Sequence, residues 1–414
     1  MRSTVRALAR RPFHLAVGAL LLVAGPALVV VSQAAPAGAA TFTVDDTADG
    51  APVSADCTTP VAGSCSLRDA IAAASATAGP HTISLATGVT YQLTYCDATT
   101  GRALRLNSNT VVSIEGNGAT IQQTCALSGS NGVITQGGAG TLNVSDVTLT
   151  GGNSTDGTGG IQAGNDNAVI SVDHITVTGN SAPFQPGIAT CGTLTIVDST
   201  IAGNTSTIVG NDNAVVRNCN GPILVVNSTI TGNTGGGIET GVGGSLTLVY
   251  STVAGNVSPA AGTSNINVAG DSFSSFGSVV TDPLGGGVNC SAAGTSEGYN
   301  YESGGATCGF SAATDVSDGA DPQLGALADN GGPTQTMLPG VTSPLLDRIP
   351  AANCQDGDAT GVTTDQRGIT RPQGTGCDVG SVEVAFVAPP VPPVTTVTPV
   401  TPATPITIAP SFTG

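Results

Sequence analysis

The sequence predicts an all-β solenoid, a right-handed three-sided parallel β-helix, on three observations. A ten-residue phrase is written five times without gaps, at 142–151, 170–179, 194–203, 223–232 and 246–255. Its copies recur every 23 to 29 residues, counted between the closing glycines Gly151, Gly179, Gly203, Gly232 and Gly255. A further short apolar piece lies between copies: Gly160-Ile161, Gly187-Ile188, Thr207-Ile208-Val209 and Gly237-Ile238. Self-similarity at that period is the signature of a stacked coil. A five-blade propeller would need four antiparallel strands in roughly 40 residues per blade, and these periods are too short.

Each position of the phrase has a physical reading. Position one (Leu142, Ile170, Leu194, Ile223, Leu246) and position three (Val144, Val172, Ile196, Val225, Leu248) are apolar. That is a period of two, which predicts a strand with one buried face. Position five (Asp146, His174, Asp198, Asn227, Tyr250) breaks the strand. Positions six to nine begin a second short strand that buries position eight (Leu149, Val177, Ile201, Ile230, Val253). Position seven is always Thr and position ten always Gly, with Asn next in four copies: Asn180, Asn204, Asn233 and Asn256. Gly-Asn is expected to turn the corner because both residues tolerate positive φ. With the third apolar piece, each turn makes three short strands, and the crossovers between stacked coils are expected to be right-handed.

Composition agrees and narrows the partners. The 414 residues include 58 Gly, no Trp and no Lys. A core of small β-branched residues suits coils that bury side chains on their neighbours. The formal charge is −17, and four of the eleven Arg (Arg2, Arg6, Arg10, Arg11) fall in the first 40 residues, which hold no acid. Such a surface repels phosphate backbones and anionic membranes, so nucleic acid is excluded as a partner class. Residues 1–40 read as a signal peptide: a basic stretch, an apolar run and small residues at the cleavage site. The run holds Gly25-Pro26 and is short for a span. The mature chain is therefore expected to be secreted or displayed at the cell surface, without a membrane span, and monomeric.

Ten Cys behind a leader point to an oxidising compartment. No CxxC occurs, which argues against a metal role for them. Spacing leaves the connectivity open, with one informative case. Cys191 precedes Gly203 by twelve residues and Cys219 precedes Gly232 by thirteen, so they should lie on adjacent coils at one phase. Neighbour pairing throughout is the expectation: Cys57–Cys65, Cys96–Cys125, Cys191–Cys219, Cys290–Cys308 and Cys354–Cys377.

The flanks carry a resemblance. The run Cys65-Ser66-Leu67-Arg68-Asp69-Ala70-Ile71, with Cys57 upstream, resembles the CSLREA domain of bacterial surface β-helix proteins, with Asp69 where that family has Glu. Physically, Ser64 or Ser66 caps a short helix whose Leu67, Ala70, Ile71 and Ala74 line one face. Residues 41–80 are read as an N-terminal cap, with Arg68 and Asp69 as a local ion pair, and 81–282 as the coil. After the coil come Gly298-Tyr299-Asn300, Asp321-Pro322-Gln323-Leu324-Gly325, Asp329-Asn330-Gly331-Gly332-Pro333-Thr334, Thr364-Asp365-Gln366-Arg367-Gly368 and Arg371-Pro372-Gln373. This run resembles the choice-of-anchor Q C-terminal region, with Val341-Thr342 intervening where the family is tighter. It is read as a loop-rich C-terminal cap over 283–387, held by Cys354–Cys377 and by Arg367 and Arg371 with nearby acids. Residues 388–414, rich in Pro, Thr and Val, read as a stalk or disordered tail. The resemblance implies a structural or adhesive surface protein, with an extracellular glycan or surface ligand as partner.

Several residues are candidates for chemistry. Position five places His174 between Asp146 and Asp198 on successive coils, with Asp173 adjacent. Carboxylates that close would raise the His pKa and allow acid–base work. The competing and preferred reading is a ladder of corner residues bonded to their own turns. Arg217 and Asp212 form a second candidate pair, against a plain surface ion pair. Asp45, Asp49 and Asp56 loosely echo a calcium loop, with Thr47 in place of one ligand and no flanking helices. A solvated acidic turn is the preferred reading there, and no cofactor is expected. Gly164-Asn165-Asp166-Asn167 recurs at 210–213 and reads as a repeated turn. The fold is shared with polysaccharide lyases and glycoside hydrolases, which makes an enzyme the runner-up, but fold alone does not grant function.

Overall fold

The structure is a computed structural model that describes residues 38–385, apart from 60, 97–102, 126–128, 130, 209–213, 259–261 and 270–271. The signal-peptide reading, the tail over 388–414 and Asp212 lie outside the described residues.

The chain winds as a coil of parallel strands with three walls. The first wall stacks Val169–Asp173, Thr193–Val197, Pro222–Val226, Ser245–Val249 and Ser272–Phe276. Its register sets Ile170 on Leu194, Leu194 on Ile223, Ile223 on Leu246, and Leu246 on Phe273. The second wall stacks position eight the same way: Val177, Ile201, Ile230, Val253 and Val280. The third wall is an eight-stranded sheet running from Leu104–Leu106 to Val288–Cys290. The period-two pattern dictates this arrangement, because a one-residue slip would turn every apolar side chain out to water. Ile170, Leu194, Ile201, Ile230 and Ile188 are fully buried, and each such side chain stabilises by about 1.5–3 kcal/mol.

The structure amends three expectations. In the third coil, the third-wall strand is Val216–Asn218, paired with Ile188–Thr190, and not Thr207-Ile208, while Val209 lies outside the described residues. Val216 is fully buried whereas Ile208 is half-buried, so burial chose between two similar apolar pieces. Gly-Asn does not share the corner. The glycines take φ of 63° to 76°, while the Asn side chains turn inward. Asn180, Asn204, Asn233, Asn256, Asn265 and Asn289 are buried, and each Nδ2 donates to the next Oδ1 at 2.8–3.1 Å. Stacking also runs beyond 81–282, from Ala40–Thr43 on His81–Ser84 to Val316–Gly319 on Tyr301–Ser303.

A second internal ladder uses serine at position six. The Oγ of Ser199, Ser228, Ser251 and Ser278 accepts from the N–H of the equivalent residue one coil earlier. These polar columns satisfy backbone groups that the tight corners would otherwise leave unpaired inside the tube.

At the N-terminal end, the helix Leu67–Ala76 starts at Ser66 with a capping box to Asp69. Leu67, Ala70, Ile71 and Ala74 are buried in the same cluster as the coil interior. Arg68 does not pair with Asp69. It donates Nε to Asp49 at 2.6 Å, while Asp69 accepts from the backbone and hydroxyl of Ser66. The cap uses up the Asp69 carboxylate, so Arg68 finds another acid.

All five neighbour disulfides form. Cys191 and Cys219 follow the paired residues Thr190 and Asn218 on adjacent coils, with Cα atoms 4.5 Å apart. The region after the coil does more than close an end. Phe310 and the Cys290–Cys308 bridge join the interior cluster beside Phe273. Residues 329–384 then fold back along the flank of the coil. Gln366 Nε2 donates to Thr200 at 2.9 Å and its Oε1 accepts from Thr229 at 2.7 Å. Ser381 N donates to Thr252 and Gly380 N to Gly277 O. This strap is held by Cys354–Cys377, by Arg367 on Asp365 at 2.8 Å, and by Arg371 on Glu383 at 3.0 Å.

Candidate functional site at the coil corner

The site is built by position five. Between the first and second walls the chain bends through one residue in the left-handed region: Asp146 at φ 51°, His174 at 53°, Asp198 at 47°, Asn227 at 46° and Tyr250 at 47°. Asp, Asn and His tolerate that region better than other side chains, which explains four of the five. Tyr250 is the exception. Its hydroxyl donates to Cys354 O at 2.7 Å, and Arg371 stacks on its ring at 4.1 Å. The bend turns each of these side chains outward, in a column along the outer corner.

Burial rises along that column. Asp146 is exposed, and the side chains of His174 and Asp198 are 30% and 15% exposed. Asn227 and Tyr250 are buried. The strap causes the gradient. Thr334 donates its hydroxyl to Asp198 O, Asn227 Nδ2 donates to Thr364 O, and Tyr250 lies under Arg371. Past the strap the corner stays open as a cleft of about 270 Å³, lined by Asn117, Gly118, Asp146, Val147, Thr148, His174, Thr176 and Pro333.

At the junction of cleft and strap, Asp173 Oδ1 lies 2.9 Å from His174 Nδ1, and Asp198 Oδ2 lies 3.7 Å from Nε2. The Asp173 hydrogen bond is the largest cause raising the His174 pKa, against burial, with Asp198 and Asp146 adding charge. Burial pushes the Asp198 carboxyl up to about 6, opposed by His174. Its Oδ1 is buried without a partner. Of the corner ladder, the backbone bend is present, but the expected bonds to the residues' own turns are made by Asn117, to Glu115 O. The Asp198 carboxylate faces His174 instead. Two titratable groups with raised pKa values thus face each other beside an open cleft, an arrangement able to exchange a proton or hold a cation.

The other candidates are not brought here. Arg217 lies in the third wall and pairs with Glu239 at 3.0 Å, beside a hollow of about 80 Å³. Both oxygens of Asp45 accept N–H groups, from Gly63 and Cys65, which hold its pKa down, and Asp49 is bound by Arg68 and Tyr95 N. Asp45, Asp49 and Asp56 are therefore not gathered as a calcium set. Among the described residues, the one group of three His, Cys, Asp or Glu side chains with ligand atoms within 4.8 Å of one another is Asp173, His174 and Asp198.

Sequence reasoning missed Asn117, Gly118, Thr148, Thr176 and Pro333. Asn117 is a corner residue at φ 52°, but its coil carries extra residues between Glu115 and Ala119, which hid the ten-residue phrase. The invariant Thr of position seven was the available signal for Thr148 and Thr176. Pro333 arrives from the distant strap.

No family model matches the chain, and no curated protein does. Among solved structures, a crystal structure of pectate lyase Pel9A aligns with a TM-score of 0.40 and 14% identity, over 83% of this chain and 96% of that one. The parallel coil rests on its own strand pairing.

Proposed function

We propose that the chain is an exported, surface-displayed or shed β-helix rod of the CSLREA and choice-of-anchor Q kind, with a structural or adhesive role, and that the corner cleft is where it binds glycan. The observation that carries this reading is the burial gradient along position five. The protein's own strap fills the corner from Asp198 to Gly277. The same corner continues, open, past Asp146 and Asn117. A surface that seats one polymer along four coils has the shape to seat another along the rest.

Its chemistry selects the polymer. Carboxylate, imidazole, amide and Thr hydroxyl groups pair with sugar hydroxyls, and a chain of formal charge −17 repels acidic polymers, so a neutral glycan fits best. Five disulfides suit an extracellular setting.

The second reading is an extracellular polysaccharide lyase or glycoside hydrolase, and the observation that favours it is the Asp198 carboxyl at about 6 beside His174. One experiment separates the two. The full chain is titrated with neutral glycans and polyuronides by calorimetry, and the mixtures are assayed for reducing ends and unsaturated products. Saturable binding to a neutral glycan, weakened by Asp146→Lys and without product, is the expected result. Products formed by the wild type but not by His174→Ala would install the enzyme reading. Binding to no polymer would leave a passive surface-layer component.

A further inference from the structure

We propose that the strap end of the cleft is a binding site for a divalent transition-metal ion of the zinc or cobalt class, held by His174 Nε2 and Asp198 Oδ2. This goes beyond the glycan reading and does not depend on it.

The hydrogen bond between Asp173 Oδ1 and Nδ1 at 2.9 Å places a proton on Nδ1. In the neutral ring, Nε2 then presents a lone pair, and it faces Asp198 Oδ2 at 3.7 Å. A lone pair and an ionised carboxylate oxygen repel each other unless a proton, a water or a cation stands between them. In the charged ring, Nε2–H is too far from Oδ2 for a hydrogen bond. Two ligands of a tetrahedral zinc-like ion, at its usual bond lengths to His and Asp, lie about 3.4 Å apart, close to the gap observed. Asp173 supplies the outer carboxylate that fixes the tautomer and aim of a metal-binding His.

The surroundings supply the rest. Asp198 Oδ1 is buried without a well-formed hydrogen bond, and the nearby Asn227 amide, which donates to Thr364 O, offsets only part of the effect of burial on this carboxylate. The strap and the next coil together fix the backbone that carries this carboxylate, because Thr334 donates to Asp198 O and Asp198 N donates to Val226 O. The open side of the cleft leaves further positions for water and for the Asp146 carboxylate on the neighbouring coil. An imidazole ligand favours a borderline transition ion over calcium or magnesium.

The test is titration of the full, untagged chain with Co²⁺, followed by visible absorption, and then displacement with Zn²⁺ followed by calorimetry. One ion per chain is expected. His174→Asn and Asp198→Asn should each lower the affinity at least about 100-fold, and Asp173→Asn about 10- to 100-fold. Asn is chosen because it tolerates the positive φ at these corners, and circular dichroism checks that the coil is intact. His81 is buried in the coil, so a His-dependent signal lost in His174→Asn reports this site. Absence of saturable binding by the wild type, or binding unchanged by His174→Asn, overturns the proposal. The readout is the ion itself, so failure of glycan binding leaves this result standing.

Discussion

Asp198 shows how one corner residue acquires chemistry. A carboxyl raised to about 6 on folding, from an ordinary value near 4, is bound more tightly by protons in the folded state. Its ionisation therefore costs stability, and that cost appears as pH rises from about 4 through 6. His174, also raised, adds stability below about 6.5 that is lost as pH climbs through its folded value. Both effects make the corner more stable in acid. Asp198→Asn removes the first and keeps a residue suited to φ 47°. In metal-free buffer it should stabilise the protein by about 1–2 kcal/mol at pH 8, after allowance for partial exposure and the lost His174 attraction, and by nothing at pH 4. Urea midpoints at the two pH values check this, and equal effects at both would refute it.

At the scale of the elements, the walls are apolar and the corners are polar, and each depends on the other. The asparagine column illustrates the dependence. Asn204 Nδ2 donates to Val177 O and to Asn233 Oδ1, while its Oδ1 accepts from Asn180. Asn204→Ala strands several buried groups at once and should cost about 2–4 kcal/mol, measured by urea unfolding. An exposed control, Asn167→Ala, should cost less than about 1 kcal/mol. The disulfide between Cys191 and Cys219 acts on the same scale. Replacing both by Ser should cost about 2–4 kcal/mol, since the bridge closes a loop of one coil, and guanidinium unfolding in the absence of reductant measures it.

At the scale of the whole molecule, the strap converts a uniform solenoid into one with two faces. Arg371 is its pivot. It is buried, stacks on Tyr250, pairs with Glu383, and donates to Asp378 O and Gly380 O. Arg371→Ala leaves the Glu383 carboxylate buried and unpaired, and should cost about 3–5 kcal/mol. Because coils contact only their neighbours, the loss should fall on the later coils. Limited proteolysis followed by mass spectrometry should show cleavage in 329–384 before any cleavage at 142–179. Simultaneous cleavage of both regions would mean that the strap and the early coils unfold as one unit.

What the sequence determined by itself was the coil, its phase and the closeness of Cys191 to Cys219. Period-two strands, a repeated Thr and Gly, and the Cys191 and Cys219 spacing are local signals, and the stacking of Ile170, Leu194 and Ile223 follows from them. It also put His174 between Asp146 and Asp198, because residues at one phase must lie on adjacent coils. Only the tertiary structure decided which part of that column is open. The corner residues look alike in sequence, yet Asn227 is sealed by Thr364 and Asp146 is not covered, and the contact that distinguishes them spans 137 residues. No local pattern encodes a contact at that separation. It is set by where the strap can satisfy its own buried Arg371 and Gln366, which is against the Thr200, Thr229 and Tyr250 corner.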